Sequence, residues 1–268
     1  SKSTLKDIKL PLDYISRHSI SFEKIRDLVE DFSSLRVLII GDLIIDEYIT
    51  CEPLGMSQED PTIVVKPINS NKFIGGAGIV AAHAAGLGAN VKVFDTSITR
   101  LRNLQVKVGR PLYTSTLQPK YLMKALRRCD VAIGALKGTN RAPVVVTEDM
   151  VGKMKNGAVI IDVSIDMGGC FETTEITSHD QPTKIKHGVI HYGVPNIPAR
   201  YPKTASISIS NIFTPYLLNM AESGGLENAI RFDSGLKNGL YFYRGILTNK
   251  AVADWFGLPY SDLNILLF

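Results

Sequence analysis

Residues 73–95, FIGGAGIVAAHAAGLGANVKVFD, decide the fold. Glycines come first, then alanines, then Gly86 and Gly88, and finally a β-branched stretch closed by an acid. Read locally, this is a tight turn, a short helix stopping at Gly86 or Gly88, and a strand over 91–95. Gly76, Gly78 and Ala81 form G-x-G-x-x-A at the head of the helix. The first glycine permits the turn, the second lets backbone N–H groups approach a diphosphate, and the small third residue lets helix and strand pack closely. A helix N-terminus adds unpaired N–H groups and partial positive charge. Asp95 lies 19 residues after Gly76, at a strand end where an acid accepts hydrogen bonds from a ribose diol. Only ten residues separate Gly78 from Ala89, about a turn less than such a helix normally spans.

Outward from this stretch the chain alternates. Upstream, Ser21–Phe32 reads as a helix, with Phe22, Ile25, Leu28 and Val29 at helical spacing. RVLIIGDLIIDEYI (36–49) reads as a buried strand broken near Gly41-Asp42, 51–61 as turn, and TIVVKPI (62–68) as another strand. Downstream, helices are expected over 97–107, 120–128, 147–154 and 206–223, and strands over 130–136, 158–165 and 188–194. Strands and helices taking turns with short loops predict an α/β fold, a Rossmann-like doubly wound parallel sheet.

Composition narrows the function classes. The 268 residues are 45% hydrophobic and 21% charged, enough for one large α/β domain or two smaller ones. The net charge of +4 is spread along the chain in short pairs such as Arg127-Arg128, so no nucleic-acid partner is expected. No run approaches the ~20 apolar residues of a membrane span, and no signal peptide is evident; a cytoplasmic protein is expected. Cys51, Cys129 and Cys170 show no C-x-x-C spacing, which suits a reducing compartment and gives no metal site. Cys170 has no neighbouring His and reads as a buried structural thiol.

VKVFDTSITRLRNLQ (91–105), DVAIGAL (130–136), DVSIDMGGCFETTEITSHDQPT (162–183), GVIHYGVPNIPARYPKTAS (188–206) and GILTNK (245–250) resemble the C-terminal half of the alanine dehydrogenases, relatives of the NAD(P) transhydrogenase soluble domain. The resemblance covers about 91–268 and implies NAD as cofactor and a small-molecule substrate. It implies that Asp95 holds the adenosine ribose with Arg100 nearby, and that Ala135, Leu136 and Val163 line the cofactor cleft. It implies that Asp166 is the catalytic aspartate beside the nicotinamide, flanked by Val194, Asn196 and Ile197. Outside such a run, Asp166 would be a turn acid before Gly168-Gly169. Glu175 departs from the pattern, standing where some members carry a basic cofactor contact.

The first third, about 34–90, resembles instead the opening of a ribokinase-like sugar kinase, in which Asp46 would hold substrate hydroxyls and the Gly75-Gly76 turn would approach the sugar. The chain is therefore expected to be chimeric, 1–90 against 91–268, joined near Gly86–Val91. No G-x-G-D run follows residue 91, so ATP phosphoryl transfer is not expected. His18, His83 and His191 match no substrate-binding context, and no substrate domain is expected ahead of the dinucleotide domain. Two readings stand: an NAD-dependent oxidoreductase of alanine dehydrogenase type, and a hybrid that holds NAD without turnover. The third, a carbohydrate kinase, rests on Asp46, Gly75 and Gly76. The apolar face of 206–223 (Ile207, Ile209, Ile212, Phe213, Leu217) predicts pairing with another chain, a homo-oligomer.

Overall fold

A computed structural model describes residues 12–57, 63–109, 111–138 and 141–267. The chain forms two compact units, 1–195 and 196–268. The first opens with two helices, α1 (Leu12–Arg17) and α2 (Phe22–Asp31). Ser21 caps α2 by accepting from Lys24 N, close to the expected helix start, yet none of its residues is buried.

The centre is a seven-stranded sheet. In chain order its first strand is β1 (Arg36–Gly41), followed by a long antiparallel ribbon of β2 (Leu43–Met56) and β3 (Ile63–Gly76) that stands outside the sheet. Helix α3 (Ala77–Gly86) leads to β4 (Asn90–Asp95), then α4 (Ile98–Val108) and β5 (Tyr113–Thr116). Helix α5 (Pro119–Leu126) crosses to β6 (Val131–Ala135), and the short α6 (Glu148–Val151) to β7 (Val159–Asp162). The edge is made by β8 (Thr183–Lys186) and β9 (Val189–Tyr192). Strand order is β5-β4-β1-β6-β7-β9-β8, with every pairing parallel except β8 against β9. The doubly wound sheet is thus present, with β1 and β6 side by side in its interior.

Two cores cover its faces, as the period-2 alternation of buried strands requires. Val37, Ile39, Val91 and Val93 pack with Ala77, Ala81 and Leu104 on one face. Leu38, Ile40 and Phe94 pack with Leu122, Leu126, Ile160 and Phe171 on the other. Several strands are shorter than the sequence suggests: 159–162 rather than 158–165, and 189–192 rather than 188–194. The ribbon is longer, because 51–56 and 69–76 continue as strand.

The second unit holds α7 (Pro202–Glu222), on which Ile207, Ile209, Ile212, Phe213 and Leu217 are all exposed apolar side chains. Four short helices and a two-residue hairpin follow, around a small core of Ile230, Tyr243, Leu263 and Leu267. Among the described residues no helix is long and apolar enough to cross a membrane, and no group of side chains could hold a metal ion.

Candidate functional site

The sheet reverses its winding between β1 and β6. From β1 the chain winds to β4 and β5; it then crosses back to β6 and continues to β7 and β9. In open parallel sheets this switch point leaves a crevice beyond the strands' C-terminal ends, where ligands sit. Register links Gly41 to Ala135 and Gly134 to Asp162, so the segments after β1, β6 and β7 leave the sheet side by side. These carry Asp42, Ala135–Lys137 and Val163–Asp166.

On the β6–β7 side the residues are held for exposure. Asp162 is fully buried and accepts from Ser164 N (3.1 Å), Cys170 N (2.9 Å) and Phe171 N (3.2 Å). Burial outweighs these donors and raises its carboxyl above the usual range. It ties the Gly168-Gly169-Cys170 bend back onto β7; both glycines have positive φ, 92° and 75°. Ser164 Oγ in turn accepts from Leu136 N at 2.9 Å. The result presents Asp166, exposed, on a single 3-10 turn (Ile165–Met167). Val163 is exposed too, with its N–H bonded to Gly134 O. Ala135 and Leu136 are half-buried at the strand end. Arg141 lies against Gly168, donating weakly to its carbonyl at 3.4 Å. Cys170 is a buried free thiol, pushed well up by desolvation, in keeping with a structural role.

On the β1–β4 side the same residue types are turned inward. Asp95 is 3% exposed, and both oxygens are engaged: Oδ2 accepts from Leu43 N (2.8 Å) and Oδ1 from Ser97 N (2.6 Å). Gly76 caps α3 with φ 55°, and a Cβ there would lie 2.5 Å from Asp42 O. A Cβ on buried Gly78 would meet Ile74 Cγ2 at 2.5 Å, and Ala81 lies buried in the core. The close approach these small residues permit is therefore to the chain's own ribbon. The glycine turn follows a ribbon strand, β3, where the sequence pattern suggested a free turn. A groove of about 710 Å³ remains beside it, lined by Asp42, Leu43, Arg100, Lys107 and Lys137, with Arg100 exposed.

Val194 is buried. In the second unit, Asn196 is exposed in the left-handed region (φ 52°) and Ile197 is half-buried. Asp46 is exposed in the ribbon, with Oδ2 3.4 Å from where a Gly75 Cβ would stand. Glu175 bonds Lys184 and Lys186, both at 2.5 Å, and these two lysines draw its carboxyl down to about 2. His191 is a core histidine, bonded to Thr173 Oγ1 and Val189 O, its basicity lowered by burial. Sequence reasoning passed over Asp162 and Asp42. The signal for Asp162 was an acid ending a β-branched strand six residues before the Gly168-Gly169-Cys170 bend.

A parallel doubly wound sheet with strand-end acids at its switch point defines a nucleotide-binding α/β class. The chain belongs to the family described as alanine dehydrogenase/PNT, C-terminal domain, which matches residues 62–250. Alanine dehydrogenase 2 of Staphylococcus aureus strain USA300 is 44% identical over 196 residues, 71% of this chain and 52% of the relative; the protein of strain N315 matches equally. The chain thus spans about half the length of these curated relatives. Among solved structures, an L-alanine dehydrogenase superposes with TM-score 0.65 at 32% identity, over 83% of this chain and 53% of that one. A transhydrogenase from Sinorhizobium meliloti shares the fold at 20% identity and TM-score 0.51, over 70% and 45%.

Proposed function

We propose that this chain is the dinucleotide-binding part of an NAD-dependent oxidoreductase of alanine dehydrogenase type, acting in the overall conversion of L-alanine, NAD and water to pyruvate, ammonia and NADH. The observation that carries the reading is Asp166, exposed on a turn that buried Asp162 anchors, at the switch point of a family-member sheet. A dinucleotide fits the β6–β7 side of the crevice, where Ala135 and Leu136 are small or apolar and half-buried and Val163 is exposed. It fits the β1–β4 side less well, because Asp95 is shut in beneath Leu43.

NAD, when bound, supplies the hydride acceptor. What this chain contributes is placement. Ala135 and Leu136 form a wall against which a planar ring can lie. Asp166, a carboxylate held on a rigid turn, can accept a hydrogen bond or a proton from a substrate amino or hydroxyl group. For Val194, Asn196 and Ile197 a place beside the nicotinamide rests on the family resemblance alone. The partners are a small-molecule substrate and a second copy of the chain, the latter favoured by the exposed apolar residues of α7.

A second reading, NAD binding without turnover, is favoured by the enclosed Asp95. The resemblance of 34–90 to a sugar kinase opening supports a chimeric origin, and Asp46 beside Gly75 is the feature that would serve a carbohydrate. Calorimetric titration with NAD, followed by NADH formation from L-alanine, separates the three. NADH formation that Asp166→Asn abolishes supports the first. NAD binding without turnover supports the second. Failure to bind NAD, with sugar raising the melting temperature, overturns both.

A further inference from the structure

At the opposite edge of the sheet, where the strands begin, the core gives way to charge. Arg36, Leu38 and Ile40 alternate on one face of β1, and Asn90, Lys92 and Phe94 on the same face of β4. Register puts Leu38, Lys92 and Tyr113 in one row across β1, β4 and β5. Ile40 and Phe94 are fully buried and Leu38 nearly so, yet the next position down β4 is a lysine on a strand flanked by neighbours on both sides. Its ammonium lies 5.2 Å from the Phe94 ring centroid, a partial compensation for its place beside the core.

Helix α5 completes a groove there. Tyr121, Lys124 and, just past the helix end, Arg128 fall at helical spacing on one side, while Leu122 and Leu126 pack into the core. The cavity holds about 870 Å³, within the usual range for small-molecule sites. Its lining includes four cations, Arg36, Lys92, Lys124 and Arg128, and no acid. Among the described residues, none of the four side chains forms a salt bridge. The nearest acid by sequence, Asp130, has its oxygens taken by Arg36 N (2.8 Å) and Lys155 Nζ (2.5 Å). Four like charges around one concavity repel, and a bound polyanion relieves that repulsion. Tyr113 and Tyr121, both exposed, add two aromatic faces at the rim.

We propose that this groove, formed by β1, β4, β5 and α5, is a second binding site that takes a nucleoside polyphosphate. The cations meet the phosphates and a tyrosine ring stacks on the base. The site lies at the strands' N-terminal edge, away from the Asp166 crevice, and the proposal does not depend on the oxidoreductase reading.

The test is calorimetric titration of the full chain with ATP, tripolyphosphate and adenosine at low salt. ATP is expected to bind tightest, tripolyphosphate more weakly and adenosine weakest. Combined Lys124→Glu and Arg128→Glu should weaken ATP roughly tenfold or more, as expected for losing charge-assisted contacts. Tyr121→Ala should weaken ATP while leaving tripolyphosphate unchanged. All these positions except Lys92 are exposed, so the melting temperature should hold; if the double charge reversal fails to fold, Lys124→Gln with Arg128→Gln replaces it. Unchanged ATP affinity in the folded double variant overturns the site. Tripolyphosphate binding as tightly as ATP overturns the nucleotide class.

Discussion

Asp95→Asn tests whether this carboxylate serves the fold or a ribose. Its two oxygens accept from Leu43 N and Ser97 N at 2.8 and 2.6 Å in a site shut off from water. Asparagine keeps one acceptor and turns an NH2 group toward the other N–H. One charge-assisted bond becomes neutral, and one buried donor loses its partner. Hydrogen bonds to charged groups contribute about 1.5–3 kcal/mol net, and an orphaned buried donor costs about 1–3 kcal/mol. The sum expected is about 3 kcal/mol, which in a chain of this size lowers the melting temperature by roughly 6–12 °C. Urea denaturation followed by circular dichroism measures the first figure, and a thermal melt the second. The ribbon base should loosen with it, visible as faster hydrogen exchange at the Leu43 amide. A stability loss under about 0.5 kcal/mol, together with a large drop in NAD affinity, would refute the reasoning and return Asp95 to the cofactor.

Asp166→Asn should leave stability within about 0.5 kcal/mol, since the side chain is exposed, while abolishing any L-alanine-dependent NADH formation; a spectrophotometric assay decides. Gly134→Ala would place a methyl group against Cys170 Sγ and 2.6 Å from Phe171 Cε2, so overpacking of about 1–3 kcal/mol is expected in denaturant titrations. Glu175 titrates well below an ordinary carboxylate. Its pairing with Lys184 and Lys186 contributes above the ordinary value of 4.5 and is lost as pH falls through about 2. A carboxyl NMR titration should place its midpoint near 2, and a midpoint near 4.5 would show both pairs to be absent.

The sheet was legible because its inner strands are apolar runs, three of them closed by Gly or Asp (RVLIIG, NVKVFD and VIID) and the fourth, VAIGA, by Ala135. The edge strands were not. YTST (113–116) and TKIK (183–186) are short and polar, and partner strands rather than their own pattern make them extended. The ribbon was half-legible. Pro53, Gly55 and Pro67 read as turn residues, but a two-stranded ribbon tolerates them at its open edges. Register shifts between Thr50 and Cys51 and between Pro53 and Gly55 absorb the irregularity. The Asp166 turn could be read from the Gly168-Gly169 pair that follows it in DVSIDMGG. The enclosure of Asp95 could not, because Leu43 lies 52 residues upstream and only folding brings its amide there.

The chain leaves the sheet at Asp42 and comes back to Ala77, whose N–H bonds the Asp42 carbonyl at 3.0 Å. The ribbon strands β2 and β3 thus leave from and return to practically one point, which makes the segment between Asp42 and Ala77 a cassette. Excising 43–76 and bridging Asp42 to Ala77 with a short glycine linker would uncap Asp95, and the linker would replace the Gly75-Gly76 bend between strand and helix. The same two ends offer a port for splicing in a foreign domain, whose motions would be felt at the Asp95 carboxylate.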